Sequence, residues 1–296
     1  MRHPIDPKID CVFKALLGSE QNINLLLHFL NAMLGDELSS PLAEVEILNP
    51  YNEKEFLSDK LSIVDVKGRD GFGRLYQIEI QLANHEHLTK RMVYNWADIY
   101  AQQLKQGEGF LDLKPTYSIW LLAENLLPDP THAHHFILRD EQGRPFGDHG
   151  GIWLLELKKF TASVIKNEEG RWLKFFQEGE RLDDEHLPDW MLTQEMKQAM
   201  QTLKTFSEKD RDYFLYQSRQ EYLRVQKDTV GRLEEKLVET QEVLGQTAQE
   251  LGLTKQELGQ TVQELGQTAQ ELGQTKQELE HAEAEIARLK ALLAQK

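Results

Sequence analysis

The residues best suited to chemistry are two carboxylates, Asp65 and Glu79, in the stretch DKLSIVDVKGRDGFGRLYQIEIQL from Asp59 to Leu82. Carboxylates held side by side repel each other unless one is protonated or a cation lies between them. A rigid element that fixes both therefore invites a divalent ion. An all-oxygen ligand set suits Mg²⁺ or Mn²⁺, and Mg²⁺ commonly keeps several waters and shares the rest of its shell with a phosphate. The competing reading is an ordinary amphipathic hairpin with a solvated polar face.

The element that must position these carboxylates is a β-hairpin. Two strand-like runs, Leu61 to Lys67 and Arg74 to Leu82, flank a loop containing Asp70-Gly71 together with Gly68 and Gly73. Such glycines are strong hairpin chemistry. Strand side chains alternate between faces. Tyr76, Ile78, Ile80 and Leu82 thus share a face that must find a core, and Gln77, Glu79 and Gln81 share the other. Val64 and Val66 match the apolar side, while Asp65 and Lys67 lie opposite them with Leu61 and Ile63. Asp65 and Glu79 fall on one surface of adjacent strands.

Asp65, thirteen intervening residues and then Glu79-Ile80-Gln81 resemble the D…(D/E)-x-K centre of the PD-(D/E)XK nuclease superfamily. More narrowly, the chain resembles the recombination-promoting nuclease and transposase family within it, whose members typically carry E-x-Q. The segments DPKIDCVFKALLG (Asp6 to Gly18), the helix with Arg91, Tyr94 and Tyr100, GFLDLKPTYSIWLL (Gly109 to Leu122) and WLLELKKF (Trp153 to Phe160) resemble that family in the same order. The resemblance covers roughly residues 1 to 210 and stops at a repetitive tail.

It implies an α/β, restriction-endonuclease-like αβββαβ core and a Mg²⁺-dependent DNA endonuclease, with Mn²⁺ as an alternative ion, linked to recombination or transposition. It also implies that Asp65, Glu79 and the backbone carbonyl of Ile80 hold the metal against the scissile phosphate, lowering the pKa of a water. Gln81 is implied to orient that water. A lysine there would also bring positive charge, whereas glutamine only donates and accepts hydrogen bonds. Asp59 and Asp10 are second-rank candidates. The alternative function is a catalytically weak DNA- or protein-binding assembly module on the same fold.

At 296 residues the chain is one sizeable domain with an appendage, or two domains. The boundaries expected are a nuclease-like domain over 1–160, a helical extension over 161–220 and heptad repeats over 221–296. The single cysteine, Cys11, rules out a disulfide within the chain. No apolar run reaches membrane-spanning length and the opening lacks the pattern of a signal peptide. A cytoplasmic protein without a membrane partner is expected.

The net charge of −15 counts against a general nucleic-acid binder, because phosphate contacts rely largely on Lys and Arg. From Glu221 onward there are 9 basic and 14 acidic residues, so the tail carries −5 and the first 220 residues carry −10. DNA contact must then come from a local patch, for which Lys67, Arg69, Arg74, Lys90, Arg91, Lys105 and Lys114 are candidates.

The stretch from Pro7 to Leu34 has helical spacing broken at Gly18-Ser19, and within it Asp10 and Lys14 form an expected i,i+4 ion pair. Ala43 to Leu48 supplies a first short strand. A helix is expected from about Leu88 to Lys105, and further strands over His135–Leu138, Tyr117–Leu122 and Ile152–Leu157. His85-Glu86-His87 lacks zinc-protease spacing, and no local ligand set completes a zinc shell around His132, His134 and His135. From Asp189 to about Gln226 the pattern is helical, with a methionine stripe that suits a core or a partner surface.

The tail repeats every seven residues, with Leu223, Val230, Leu237, Leu244, Leu251, Leu258, Leu265, Leu272, Leu279, Ile286 and Leu293 in one heptad position, taken as a. Position d is mostly threonine, and Gly245, Gly252, Gly259, Gly266 and Gly273 each cost about 1 kcal/mol relative to alanine in a helix. Glu250 with Lys255, and Glu271 with Lys276, occupy g and e positions suited to a parallel coiled coil. A homo-oligomer through a C-terminal coiled coil is expected, a frayed spacer being the alternative.

Overall fold

A computed structural model describes residues 1–49, 65–84 and 86–293. Asp59, the beginning of the first hairpin strand and His85 lie outside the described residues. The helices are α1 (Asp10–Leu17), α2 (Ile23–Leu34), α3 (Leu88–Ala101), α4 (Glu168–Glu178), α5 (Gln194–Glu208) and α6 (Asp210–Leu293). The strands are β1 (Val45–Leu48), β2 (Val66–Asp70), β3 (Leu75–Gln81), β4 (Thr116–Leu122), β5 (Ala133–Phe136) and β6 (Gly150–Glu156). The fold is mixed α/β. Its contacts divide it into two compact units, Met1–Leu223 and Arg224–Lys296.

In the first unit the strands form one sheet in the order β1-β2-β3-β4-β6-β5. The β1-β2-β3 part is antiparallel, β3, β4 and β6 run parallel, and β5 returns antiparallel to β6. Central parallel strands are buried on both faces, which requires nearly continuous apolar character. In β4, Tyr117, Ile119 and Leu121 join Val66, Tyr76, Ile78, Ile80, Trp153 and Leu155 in the main core, beneath α1, α2, α4 and α5. Trp120 and Leu122, with Ile152 and Leu154 of β6, face Leu88 and Met92 of α3 on the other side.

The β2–β3 turn is closed by Asp70, whose Oδ1 accepts the N–H groups of Phe72 and Arg74 at 2.9 and 3.0 Å. Gly73 follows at φ +84°, a left-handed conformation that suits glycine. Gly68, expected in the loop, lies instead in β2 opposite Tyr76. A Cβ there would come within 3.1 Å of Val45 Cγ2 and 3.3 Å of the Glu46 carbonyl, so this glycine serves the approach of β1. α3 stops short of Lys105. The Gln103 side chain instead clips the following loop, accepting from the Lys114 N–H and donating to its carbonyl, each at 2.9 Å.

α4 falls within 161–220, where a helical extension is expected, at bounds that the sequence reading did not give. Asn167 caps it by accepting the Gly170 N–H at 3.0 Å, and Glu168 and Glu169 occupy its first turn. Both features favour a helix start. Trp172, Phe175 and Phe176 then pack on one another, and Phe13 and Phe29 meet this cluster from α1 and α2. The methionine stripe, Met191, Met196 and Met200, is core. The first turns of α6 hold the amino-terminal segment: His3 stacks on Tyr213 at 4.1 Å, and the Asp6 N–H donates to the Tyr216 hydroxyl at 3.0 Å.

In the second unit the chain is helical to Leu293, and the heptad leucines from Leu237 to Leu279 are exposed. Six d-position threonines, from Thr240 to Thr275, each donate the hydroxyl to the carbonyl four residues back, at 2.7 to 3.1 Å. No helix among the described residues is long and apolar enough to cross a membrane.

Candidate active site

The register of the hairpin sets the geometry of the two carboxylates. Val66 pairs with Ile78, and one step further along both strands places Asp65 opposite Glu79. Asp65 sits just before β2, and its Oδ2 accepts the Ile80 N–H at 3.1 Å. In an extended strand the N–H and C=O of one residue point to the same side. The Ile80 carbonyl is therefore directed to the Asp65 side of β3. Consistently, the next carbonyl, of Gln81, turns the other way and accepts the Ala123 N–H at 2.9 Å.

Glu79 is only 3 % exposed. The polar face of β3 is thus not a solvated surface, because α3 and β4 cover it. Gln77 Nε2 donates to Glu79 Oε1 at 3.2 Å, Ser118 Oγ donates to Gln77 Oε1 at 3.2 Å, and Trp120 Nε1 donates to Ser118 Oγ at 2.8 Å. On the outer side, Arg91 of α3 donates to Glu79 Oε2 and, through its other terminal nitrogen, to Gln81 Oε1, both at 3.4 Å. Gln81 Nε2 donates to the Ala83 carbonyl at 2.7 Å.

Burial, with the charge of Asp65 added, pushes the Glu79 carboxyl up to about 8, against the pull of Arg91 and Gln77. Burial also raises Asp65, opposed by the Ile80 N–H and by Lys14, while the charge of Asp10 reinforces the rise. A buried carboxyl that holds its proton more tightly because of a neighbouring carboxylate, as Glu79 does, is relieved by a divalent cation. With the Ile80 carbonyl beside them, they fit an ion that takes its remaining ligands from water or phosphate. Among the described residues, no group of three or more His, Cys, Asp or Glu side chains is gathered as a metal site.

The expected Asp10–Lys14 ion pair is replaced by two longer-range ones. Lys14 Nζ lies 3.3 Å from Asp65 Oδ1, and Asp10 Oδ2 lies 2.7 Å from Arg219 of α6. Both partners satisfy tertiary contacts that outweigh a pair on one helix face. Of the basic patch, Arg69 is tied to Glu46 at 3.0 Å, and Arg74 is tied to buried Asp70 at 2.6 Å. The histidine cluster is likewise occupied. His132 meets Glu169, His134 meets Asp129 and Glu156, and His135 meets Glu37, at 2.9 to 3.7 Å. Burial pushes the Cys11 thiol up to about 11, which makes it a poor nucleophile.

Arg91, Lys14 and Gln77 therefore join the site that sequence reasoning built from Asp65, Glu79, Ile80 and Gln81. Arg91 was legible as a basic residue near the hairpin, on a helix that resembles the family, but not as a partner of Glu79. No curated protein and no solved structure matches the chain. A family model described as PD-(D/E)XK nuclease family transposase matches residues 7–232, a span that includes every one of these residues. The chain belongs to the PD-(D/E)XK nuclease family transposases.

Proposed function

We propose that the protein is a Mg²⁺-dependent DNA endonuclease, with Mn²⁺ able to substitute, acting in recombination or transposition. The observation that carries this reading is the juxtaposition of Asp65 and Glu79, with the Ile80 N–H on the Asp65 carboxylate and the Ile80 carbonyl turned to the same side. A divalent ion there would add positive charge at the scissile phosphate and acidify a water. Asp65, Glu79 and the Ile80 carbonyl would hold it. Gln81, whose amide is oriented by Arg91 and Ala83, would position the attacking water by hydrogen bonding. The element order α2, β1, β2, β3, α3, β4 supports reading the core as restriction-endonuclease-like αβββαβ.

The packing of α4 and α5 on α1 and α2 supports 161–220 as an extension of the domain over 1–160. The exposed leucine stripe of 221–296 supports self-association as a coiled coil. Parallel pairing is favoured, because g holds glutamate from Glu250 to Glu285 while e holds Lys255, Lys276 and Lys290, against a single acidic residue over the same heptads, Glu283. An antiparallel arrangement would set glutamate against glutamate. Such pairing brings together two active centres.

A second reading, a binding module with little turnover, draws on the pairing of each carboxylate with a cation, Lys14 with Asp65 and Arg91 with Glu79. Cleavage of supercoiled plasmid in Mg²⁺, Mn²⁺ or EDTA, with Asp65→Ala and Glu79→Ala prepared identically, separates the two. Metal-dependent nicking that both variants lose, with DNA binding retained, supports the enzyme. Equal inertness of all three over a range of DNA substrates would favour the module.

A further inference from the structure

We propose that Arg91 brings to this site, from α3, the positive charge that glutamine at position 81 does not supply, and that its guanidinium contacts phosphate oxygens of the bound DNA. The inference rests on the nuclease reading for its chemistry. Arg91 stands in the first turn of α3, and its two terminal nitrogens divide between Glu79 Oε2 and Gln81 Oε1. It thereby touches the side chain at the position where the family's wider pattern has lysine.

Both contacts are 3.4 Å, at the loose end of the hydrogen-bond range, so an incoming anion can compete for them. The side chain is 44 % exposed. A guanidinium has five donors in a planar fork that suits phosphate, and two bonds leave capacity for more. Its location is nevertheless well defined. The guanidinium carbon lies 5.4 Å from the centroid of the Trp120 ring, and Trp120 is anchored through Ser118 and Gln77 to Glu79 itself. The aromatic face, the carboxylate and the amide thus aim one permanent cation at the mouth of the site. Arg69 and Arg74, nearby on the hairpin, are engaged by Glu46 and Asp70.

The test uses the full chain and two readouts. In plasmid cleavage with Mn²⁺, Arg91→Ala should slow nicking by about 10²-fold or more, as loss of a group that stabilises developing charge does. Arg91→Lys should stay within roughly tenfold of wild type, and adding Gln81→Lys to Arg91→Ala should recover at least about tenfold. In duplex binding measured in EDTA, the slope of log K against log salt should become shallower by about 0.9 in Arg91→Ala and stay unchanged in Arg91→Lys. Arg91→Gln, which keeps part of the stem over Trp120 without the charge, should match Arg91→Ala and serves if the alanine chain does not fold.

An Arg91→Gln or Arg91→Ala protein that cleaves within about threefold of wild type, or keeps the wild-type salt slope, would overturn the inference. So would a Gln81→Lys addition that recovers nothing. If wild type cuts and Glu79→Gln does not, any of these results sinks Arg91 alone. If wild type and Glu79→Gln are equally inert, the nuclease reading fails, and the salt slope still decides whether Arg91 meets phosphate.

Discussion

Removing the charge of Glu79 should stabilise the metal-free protein at alkaline pH. The folded chain holds this carboxyl at about 8, against an ordinary value of 4.5. Between those two values the folded state binds more protons than the unfolded state. Stability from this group is therefore fully present below about pH 4.5 and is lost as the pH rises through 8. The interval is 8 − 4.5 = 3.5, and at about 1.4 kcal/mol per pH unit the ceiling is about 5 kcal/mol. Glutamine in its place carries no such dependence. Its NH₂ group would, however, face one of the two donors, Gln77 or Arg91, at a cost of about 1–2 kcal/mol.

Glu79→Gln should thus be about 1–2 kcal/mol less stable than wild type near pH 4 and about 3 kcal/mol more stable near pH 9. The assay is urea unfolding of both proteins in EDTA at intervals across that range. Taking the difference between them cancels every titration that they share. A difference that stays constant to within about 1 kcal/mol would refute the argument that Glu79 is buried beside a second carboxylate.

Three further outcomes are expected. Gly150→Ala should cost about 3 kcal/mol in chemical denaturation, because Gly150 has φ +74° and a Cβ would fall 2.1 Å from the Thr116 carbonyl oxygen. Trp172→Ala should cost about 3–5 kcal/mol by removing the ring on which Phe29, Phe175 and Phe176 pack. Lys255→Glu with Lys276→Glu should weaken self-association in sedimentation at low salt, with the difference shrinking at about 1 M salt; an unchanged association would count against parallel pairing.

Much of the site was legible because a strand has a period of two. The alternation in YQIEIQ sorts Glu79 from Ile78 and Ile80 without any knowledge of neighbours, and the loop glycines bring Asp65 back to it. What the alternation cannot reveal is which side chains arrive from elsewhere. Lys14 and Asp10 are one helical turn apart, so local spacing pairs them. The fold brings Asp65 to one and Arg219 to the other, across gaps of fifty and more residues. Arg91 stands beside Lys90 on α3, and the packing of Met92 against the sheet, which spacing alone does not give, is what turns it toward Glu79. Gly68 misled for a related reason. A glycine beside Asp70-Gly71 has the composition of a turn, whereas its role is to admit β1. α4 does carry one apolar face, Trp172, Leu173, Phe175 and Phe176, but spacing cannot name the rings from α1 and α2 that cover it.

The threonines of the tail spend their hydroxyls on their own helix, so the d positions offer a partner little besides methyl groups. Every g position from Glu250 to Glu285 is glutamate, so Lys255 finds an acidic partner whichever whole heptad lies beside it. If the tail pairs in parallel as proposed, two copies could slide by seven residues, about 10.5 Å of helix, while exchanging one set of contacts for a nearly equivalent one. Only the unlike ends, Val230 with Leu233 and Ile286 with Leu289, penalise such a slip. In such a pair the repeat would act as a vernier: its middle would provide adhesion without position, and its ends would decide where the sliding stops.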